Sequence, residues 1–155
     1  MKCALDTTVS QAISDGSLED IRALFTANPS LITKPLYPSP PSENAVQFNK
    51  YPIHLAAEIG RADVVELLIE LGADPKTPTG LFGTTPLDAA IGGDHVEVVR
   101  LLLRHDVCPT RKPAIGPTSL EFARQRGNEE IIQLLTARLE PNENGVECSL
   151  NSEEE

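Results

Sequence analysis

The side chains best suited to chemistry in this chain are its three histidines, His54, His95 and His105. An imidazole can serve as a general base, as the partner of a nucleophile or as a metal ligand. None of the three has a Cys, Ser or Asp at the spacing of a catalytic triad, and the sequence contains no GxGxxG, P-loop, HExxH or EF-hand pattern. The residues therefore predict no catalytic group, no metal site and no cofactor.

Carboxylates that recur in register offer a second kind of chemistry. The phrase YPIHLAAEIG, residues 51–60, returns as TPLDAAIGGD, residues 85–94, and as TSLEFARQRG, residues 118–127. If these phrases form helices that pack about 8–10 Å apart, Gly92 leaves a notch where a small molecule could lie beside groups able to transfer protons. The side chains that border this possible small-ligand notch are Glu58, Asp88 and Gln125. The alternative is that Asp88 and Glu121 are helix caps and Gly92 is a small packing residue.

The helices that would carry these residues belong to a repeat. A second apolar block follows each phrase, at residues 62–74, 95–107 and 129–139. Apolar residues in each block recur at the spacing of one amphipathic helix face. A weaker copy covers residues 7–25, so the sequence predicts four units of two short helices. Because such a helix is marginal alone and one unit cannot bury its apolar stripe, the units must stack.

These phrases resemble the ankyrin repeat, whose signature is TPLHxA, followed by G-H and by an apolar second helix ending in G-A-D. Residues 51–84 and 85–117 carry the pattern, and with the outer units the resemblance covers roughly residues 7–139. It implies an all-α solenoid of stacked helix-turn-helix units, with projecting β-hairpin-like fingers and a concave surface. It also implies that His54, at the TPLH position, and His95, in the G-H pair, make structural hydrogen bonds.

Single residues refine this prediction. Thr85 and Thr118 each precede an acid by three residues, which predicts a capping box at the start of two helices, whereas Tyr51 replaces that Thr in the second unit. Asp94 and Asp106 stand where the family usually has glycine in a left-handed conformation, at a cost of up to about 1 kcal/mol each. We therefore expect Asp106→Gly to raise the melting temperature.

The repeat spacing also predicts the domain organisation. Residues 1–139 form a single domain, whose units lie at about 7–50, 51–84, 85–117 and 118–139. The first unit is the longest, and its surplus forms an enlarged, proline-rich finger at residues 33–50. Residues 140–155 contain six glutamates and no Lys or Arg, which predicts an acidic, disordered tail.

Composition limits the classes of partner. The 155 residues carry a formal net charge of −10, which disfavours nucleic acid. No apolar run has the length of a signal peptide core or a membrane span. The cysteines Cys3, Cys108 and Cys148 lie far apart without a CxxC pair, which favours reduced thiols over a disulfide or a structural zinc site. The sequence thus predicts a soluble, intracellular monomer, cytoplasmic or nuclear, with no nucleic-acid or membrane partner.

The turns of the fingers indicate where a protein partner would bind. Phe48, Phe82 and Ile115 precede the turn position that needs positive φ, and the family resemblance implies exposed fingertips that commonly contact partners. We expect an apolar ridge there, as in other protein-binding surfaces, and flanking acids such as Glu58 suit a partner with Lys or Arg. The alternative is that the aromatic rings fold back over the finger stems. The predicted partner-binding residues are Gln47, Phe48, Lys50, Glu58, Ile59, Leu81, Phe82, Thr84, Ile115 and Gln125.

Overall fold

The computed structural model describes residues 2–36, 50–80, 82–113 and 115–139, with side chains from residue 8 onward. Within these ranges the chain forms four pairs of α-helices, and a short 3-10 turn, Pro29–Leu31, follows the first pair. The helices are α1 (Lys2–Asp15), α2 (Leu18–Ala27), α3 (Pro52–Glu58), α4 (Ala62–Glu70), α5 (Pro86–Gly92), α6 (Val96–Arg104), α7 (Ser119–Arg126) and α8 (Glu129–Leu139). None of these helices is long and apolar enough to cross a membrane.

The helices stack in two parallel rows. The first helices α1, α3, α5 and α7 pack against one another in that order, and the second helices α2, α4, α6 and α8 form the other row. Between the rows lies one continuous apolar core, in which burial stabilises each large side chain by about 1.5–3 kcal/mol. Its fully buried members include Ile13, Ile21, Phe25, Leu68, Leu87, Leu102, Ile131 and Leu135. The predicted all-α repeat solenoid is confirmed.

The starts of the first helices depend on single residues. Thr85 and Thr118 each accept a backbone hydrogen bond three residues later, and the acid at that position bonds back to the Thr backbone N–H. Both predicted capping boxes are therefore confirmed. Tyr51 makes no side-chain cap hydrogen bond at the start of α3, which shares with α5 the proline at its first position.

Two aspartates adopt a left-handed backbone conformation at turns. Asp94 lies between α5 and α6, and Asp106 follows α6. Asp94 and Asp106 both have φ of 57°, as predicted from the glycines at their repeat positions. Each carboxylate also meets an arginine from the following unit. Arg126 Nη2 lies 3.2 Å from Asp94 Oδ2, and Arg138 Nη2 lies 2.6 Å from Asp106 Oδ1. The strained turns thus carry charge that links neighbouring units.

A different polar group closes each seam between first helices. Arg61 donates to carbonyl groups at the end of α1, over 3.3 to 3.4 Å. His95 Nε2 lies 2.8 Å from the Glu58 carbonyl oxygen at the end of α3. Arg126 donates to the Gly92 carbonyl over 3.0 Å at the end of α5. In each case, a donor from the next unit binds a carbonyl group that has no hydrogen-bond partner within its own helix. The predicted structural role of His95 is confirmed.

One sequence expectation is wrong. Cys108 is disulfide-bonded, whereas the spacing of the cysteines favoured thiols. Separation along a stacked repeat chain does not fix the distance between two side chains, which is why the spacing misled. The side chains of Cys3 and Cys148, like most of the proline-rich finger and the acidic tail, lie outside the described part of the chain.

Candidate functional site

The loop between α4 and α5 is a hairpin-like finger. Thr79 and Thr84 form an antiparallel bridge with N to O distances of 2.8 and 2.9 Å. Gly80 and Gly83 turn the chain between them with φ of 68° and 64°, a conformation that L residues rarely adopt. This geometry leaves the side chain of Phe82 53% exposed at the tip.

The next finger, between α6 and α7, presents Ile115 in the same way. Its side chain is 51% exposed, and Gly116 beside it has φ of 113°. The two tips border a cleft of about 250 Å³, which we call the inter-finger cleft. It is lined by Phe82, Thr84, Asp88, Pro113, Ile115, Gly116, Pro117 and Phe122. Its walls are largely apolar, and its volume is below the roughly 300–1,000 Å³ of pockets that enclose small ligands.

Among the described residues, Asp88 is the only carboxylate that lines the inter-finger cleft, and hydrogen bonds already engage it. Its Oδ2 accepts from the backbone N–H and the hydroxyl of Thr85, both at 2.8 Å. Its Oδ1 accepts from the hydroxyl of Ser119 at the start of α7. Oδ2 therefore caps α5 and Oδ1 links α5 to α7, which is the structural alternative to proton transfer.

A second cavity of about 310 Å³ lies on the concave face between α3 and α5, and we call it the concave pocket. Its charged groups are Lys50 and Glu58, whose Nζ and Oε2 atoms form an ion pair at 2.5 Å. Gly92 lies on its rim, so the structure brings together two of the four residues of the predicted notch. Asp88 lines the other cavity, and Gln125 is exposed without lining either one.

His54 lines the concave pocket as a neutral ring. It is only 2% exposed, and burial lowers the pKa of His54 to about 4. Its Nε2 lies 3.2 Å from the Thr84 carbonyl oxygen, so Nε2 carries the proton and Nδ1 is an acceptor. Among the described residues, no group forms a hydrogen bond with Nδ1. The nearby backbone of Thr77 raises the pKa of His54, but this effect is smaller than that of burial. The bond from α3 to the next finger confirms the predicted structural role of His54.

The remaining predicted partner-binding residues divide into two groups. Ile59 is 38% exposed beyond the end of α3, and Thr84 lines both cavities. Gln47, Phe48 and Leu81 lie outside the described residues.

Sequence reasoning missed Phe122, which forms a wall of the inter-finger cleft. The signal was available, because the equivalent first-helix positions hold the aliphatic residues Leu55 and Ala89. A large aromatic side chain in the last of these positions distinguishes this unit from the others.

Hydrogen bonds from Thr118 hold the pKa of the neighbouring Glu121 carboxylate below its usual range, and Lys112 acts in the same direction. The start of α7 thus contributes an aromatic wall and an engaged acid.

Comparison with known proteins places this geometry in a family. The family model described as ankyrin repeats (3 copies) matches residues 9–113 and 53–145. The ankyrin repeat protein YahD of Escherichia coli (strain K12) is 36% identical over 108 residues, which cover 66% of this chain and 54% of YahD. The E3 ubiquitin-protein ligase XBAT33 of Arabidopsis thaliana is 31% identical over 152 residues, which cover 93% of this chain and 28% of that protein.

A human relative shows the same partial overlap. Neurogenic locus notch homolog protein 4 is 35% identical over 98 residues, which cover 63% of this chain and 5% of that protein. The chain therefore spans at most about half the length of these three relatives. In the described part of the chain, eight helices are stacked in two rows and are capped and bridged at the positions of the repeat signature, in agreement with the sequence match. This chain belongs to the ankyrin repeat family.

Proposed function

We propose that this chain is a non-enzymatic protein-interaction module that binds a partner protein through its fingers and concave face. Ankyrin repeats generally serve as protein-interaction modules, so the family supports this class of function. The observation that carries the proposal is the pair of half-exposed apolar tips, Phe82 and Ile115, on either side of one cleft. Exposed apolar groups arranged around a cleft are typical of interaction sites, and aromatic anchors are frequent among their hot spots.

The groups with catalytic potential support the non-enzymatic class. His54 is buried and bonded to the next finger, and Asp88 caps α5 while it accepts from Ser119. We infer that both residues hold the stack together. The ligase named among the relatives is matched over 28% of its length, so its activity is not transferred to this chain.

The proposal is tested by affinity capture from a lysate of the source cell. The test variant carries Phe82→Ser and Ile115→Ser, which leave the buried core untouched. The matched control is Leu18→Ser, because Leu18 is 42% exposed on α2, away from the fingers. Circular dichroism first establishes that all three proteins fold. We expect one protein to be captured by the wild type and the control and lost by the double variant. Capture that survives the double change would refute the fingertip proposal.

A small-molecule site in the concave pocket is the second candidate. Its support is a volume at the lower end of the range for ligand pockets, together with the Lys50–Glu58 pair at its edge. A metabolite screen by thermal shift tests it, with Gly92→Leu as the variant that fills the rim. A compound that raises the melting temperature of the wild type alone would support this candidate, and the absence of any such compound would remove it.

A further inference from the structure

The charge of the two fingers that border the inter-finger cleft differs in sign from the charge of the whole chain. The chain carries −10, yet the described parts of the two fingers, residues 74–83 and 109–117, hold one acid and three cations. The acid is Asp74, whose Oδ1 accepts from the backbone N–H of Lys76 over 2.9 Å. The fingers that carry the exposed apolar tips are thus net positive.

The cations nearest the cleft are available to a partner. Arg111 and Lys112 are exposed and directly precede Pro113, which lines the cleft. Among the described residues, no carboxylate lies within 4.0 Å of either side chain, whereas six other Lys or Arg side chains form such ion pairs. Their charges face solvent beside an apolar cleft.

The acids close to the cleft are already engaged. At the cleft, Asp88 accepts three hydrogen bonds and Glu121 caps α7 through Thr118. Glu58 lines the concave pocket instead, where it is paired with Lys50. The expectation that Glu58 would attract a basic partner is therefore revised, because its charge is offset within the chain. The charged groups that this surface leaves open to a partner are therefore Arg111 and Lys112, because the carboxylate oxygens are occupied by hydrogen bonds.

We propose that the inter-finger cleft binds an acidic segment of the partner, with one aliphatic side chain of that segment seated between Phe82, Ile115 and Phe122. This inference rests on the proposed function and names the chemistry of its partner. The apolar walls remove the anchor from water, and Arg111 and Lys112 attract the flanking carboxylates. The cleft has the volume for a side chain and not for a folded element, which favours a short, extended segment.

Three synthetic peptides of nine residues test the assignment on the full chain. Two have a central leucine, flanked on each side by two glutamates or by two lysines, and the third has alanine between the glutamates. Binding is followed by NMR through the amide signals of Thr84 and Gly116, which line the cleft. We expect the glutamate–leucine peptide to bind about tenfold more tightly than either other peptide at about 20 mM NaCl. The advantage over the lysine peptide should shrink at about 300 mM NaCl, because salt screens exposed charges.

Variants separate local from global charge. Arg111→Glu with Lys112→Glu should reverse the order of the glutamate and lysine peptides. The control variant Arg22→Glu with Arg100→Glu changes the net charge of the chain by the same amount, but on the second helices α2 and α6. It should keep the order of the glutamate and lysine peptides. Ile115→Ser should weaken the glutamate–leucine peptide about fivefold. An unchanged order after the finger reversal, or no peptide binding at the cleft, would overturn the inference.

Two further results are informative. If replacing the six tail glutamates by glutamine raised the affinity of the glutamate–leucine peptide tenfold, the cleft would belong to residues 140–155 of the chain itself, and the partner assignment would fall. If the fingertip variant lost a captured protein while the peptides showed no preference for acid, the proposed function would stand and this inference alone would fail.

Discussion

Gly92 and Gly93 stand next to each other at the end of α5, and the structure predicts opposite effects when each becomes alanine. Gly92 is the last helical residue and is exposed. A Cβ at this position would lie 3.9 Å from Cε1 of Phe122, which is ordinary van der Waals contact. Alanine favours a helix over glycine by up to about 1 kcal/mol. We therefore expect Gly92→Ala to raise the free energy of unfolding by about 0.5–1 kcal/mol.

Gly93 has a backbone that any L residue can adopt, with φ of −91° and ψ of 0°, so its constraint is steric. A Cβ there would lie 2.4 Å from Cδ2 of His95 and 2.9 Å from the Glu58 carbonyl oxygen. The imidazole must move, and the hydrogen bond of 2.8 Å between His95 and Glu58 is lost. Because this bond is exposed, its loss costs about 0.5–1.5 kcal/mol, the net contribution of a typical hydrogen bond. Gly93→Ala should therefore be less stable than the wild type by about that amount.

The assay is urea unfolding followed by circular dichroism, since the chain contains no Trp for fluorescence. The two alanine variants should differ by about 1–2.5 kcal/mol. A cycle with His95→Ala isolates the contribution of the ring, because Gly93→Ala should cost less once only the contact with the Glu58 carbonyl oxygen remains. If the two alanine variants had equal stability, or if Gly93→Ala cost the same without His95, the proposed clash would be refuted.

Two further predictions concern the buried histidine His54 and the left-handed turn at Asp106. Since the pKa of His54 is about 4 when folded and about 6.5 when unfolded, the unfolded chain binds a proton first as pH falls, and stability should drop by about 2 kcal/mol from about pH 7.5 to 5.0. His54→Gln should lack this component in urea unfolding at the two pH values, and equal losses in both proteins would contradict the assignment. Asp106→Gly relieves up to about 1 kcal/mol of backbone strain but loses the ion pair with Arg138, worth about 0.2–1 kcal/mol. The melting temperature should therefore change little in the wild type and rise in an Arg138→Gln background, whereas equal shifts in both backgrounds would show that the ion pair contributes nothing.

Much of the fold could be predicted because its signals are local. Thr85 and Thr118 specify capping boxes within four residues, and the repeat period places Asp94 and Asp106 at left-handed turns. The ion pairs of these aspartates were not predicted, because their arginines come from the next unit, 32 residues away. The sequence predicted a higher melting temperature for Asp106→Gly, and the structure predicts little change because the ion pair with Arg138 is lost.

The candidate site was harder to predict because it depends on contacts between units. Repeat register suggested that Glu58, Asp88 and Gln125 would share one notch. The hydroxyl of Ser119 instead holds Asp88 at the junction of α5 and α7, on the side of the inter-finger cleft. Glu58 pairs with Lys50 across eight residues of loop and helix. Which acids remain available to a partner is decided by these side-chain contacts, and a repeat alignment does not contain them.

The seams between units connect stability to the proposed binding. Phe82 precedes α5 and Ile115 precedes α7, so the inter-finger cleft exists only while these two helices stay in register. Asp88 fixes that register, because one oxygen caps α5 and the other accepts from the first residue of α7. A partner segment would therefore meet tips whose spacing is already set, and little ordering entropy would be lost on binding. The carboxylate that first looked like a candidate for proton transfer acts by positioning the walls of the cleft.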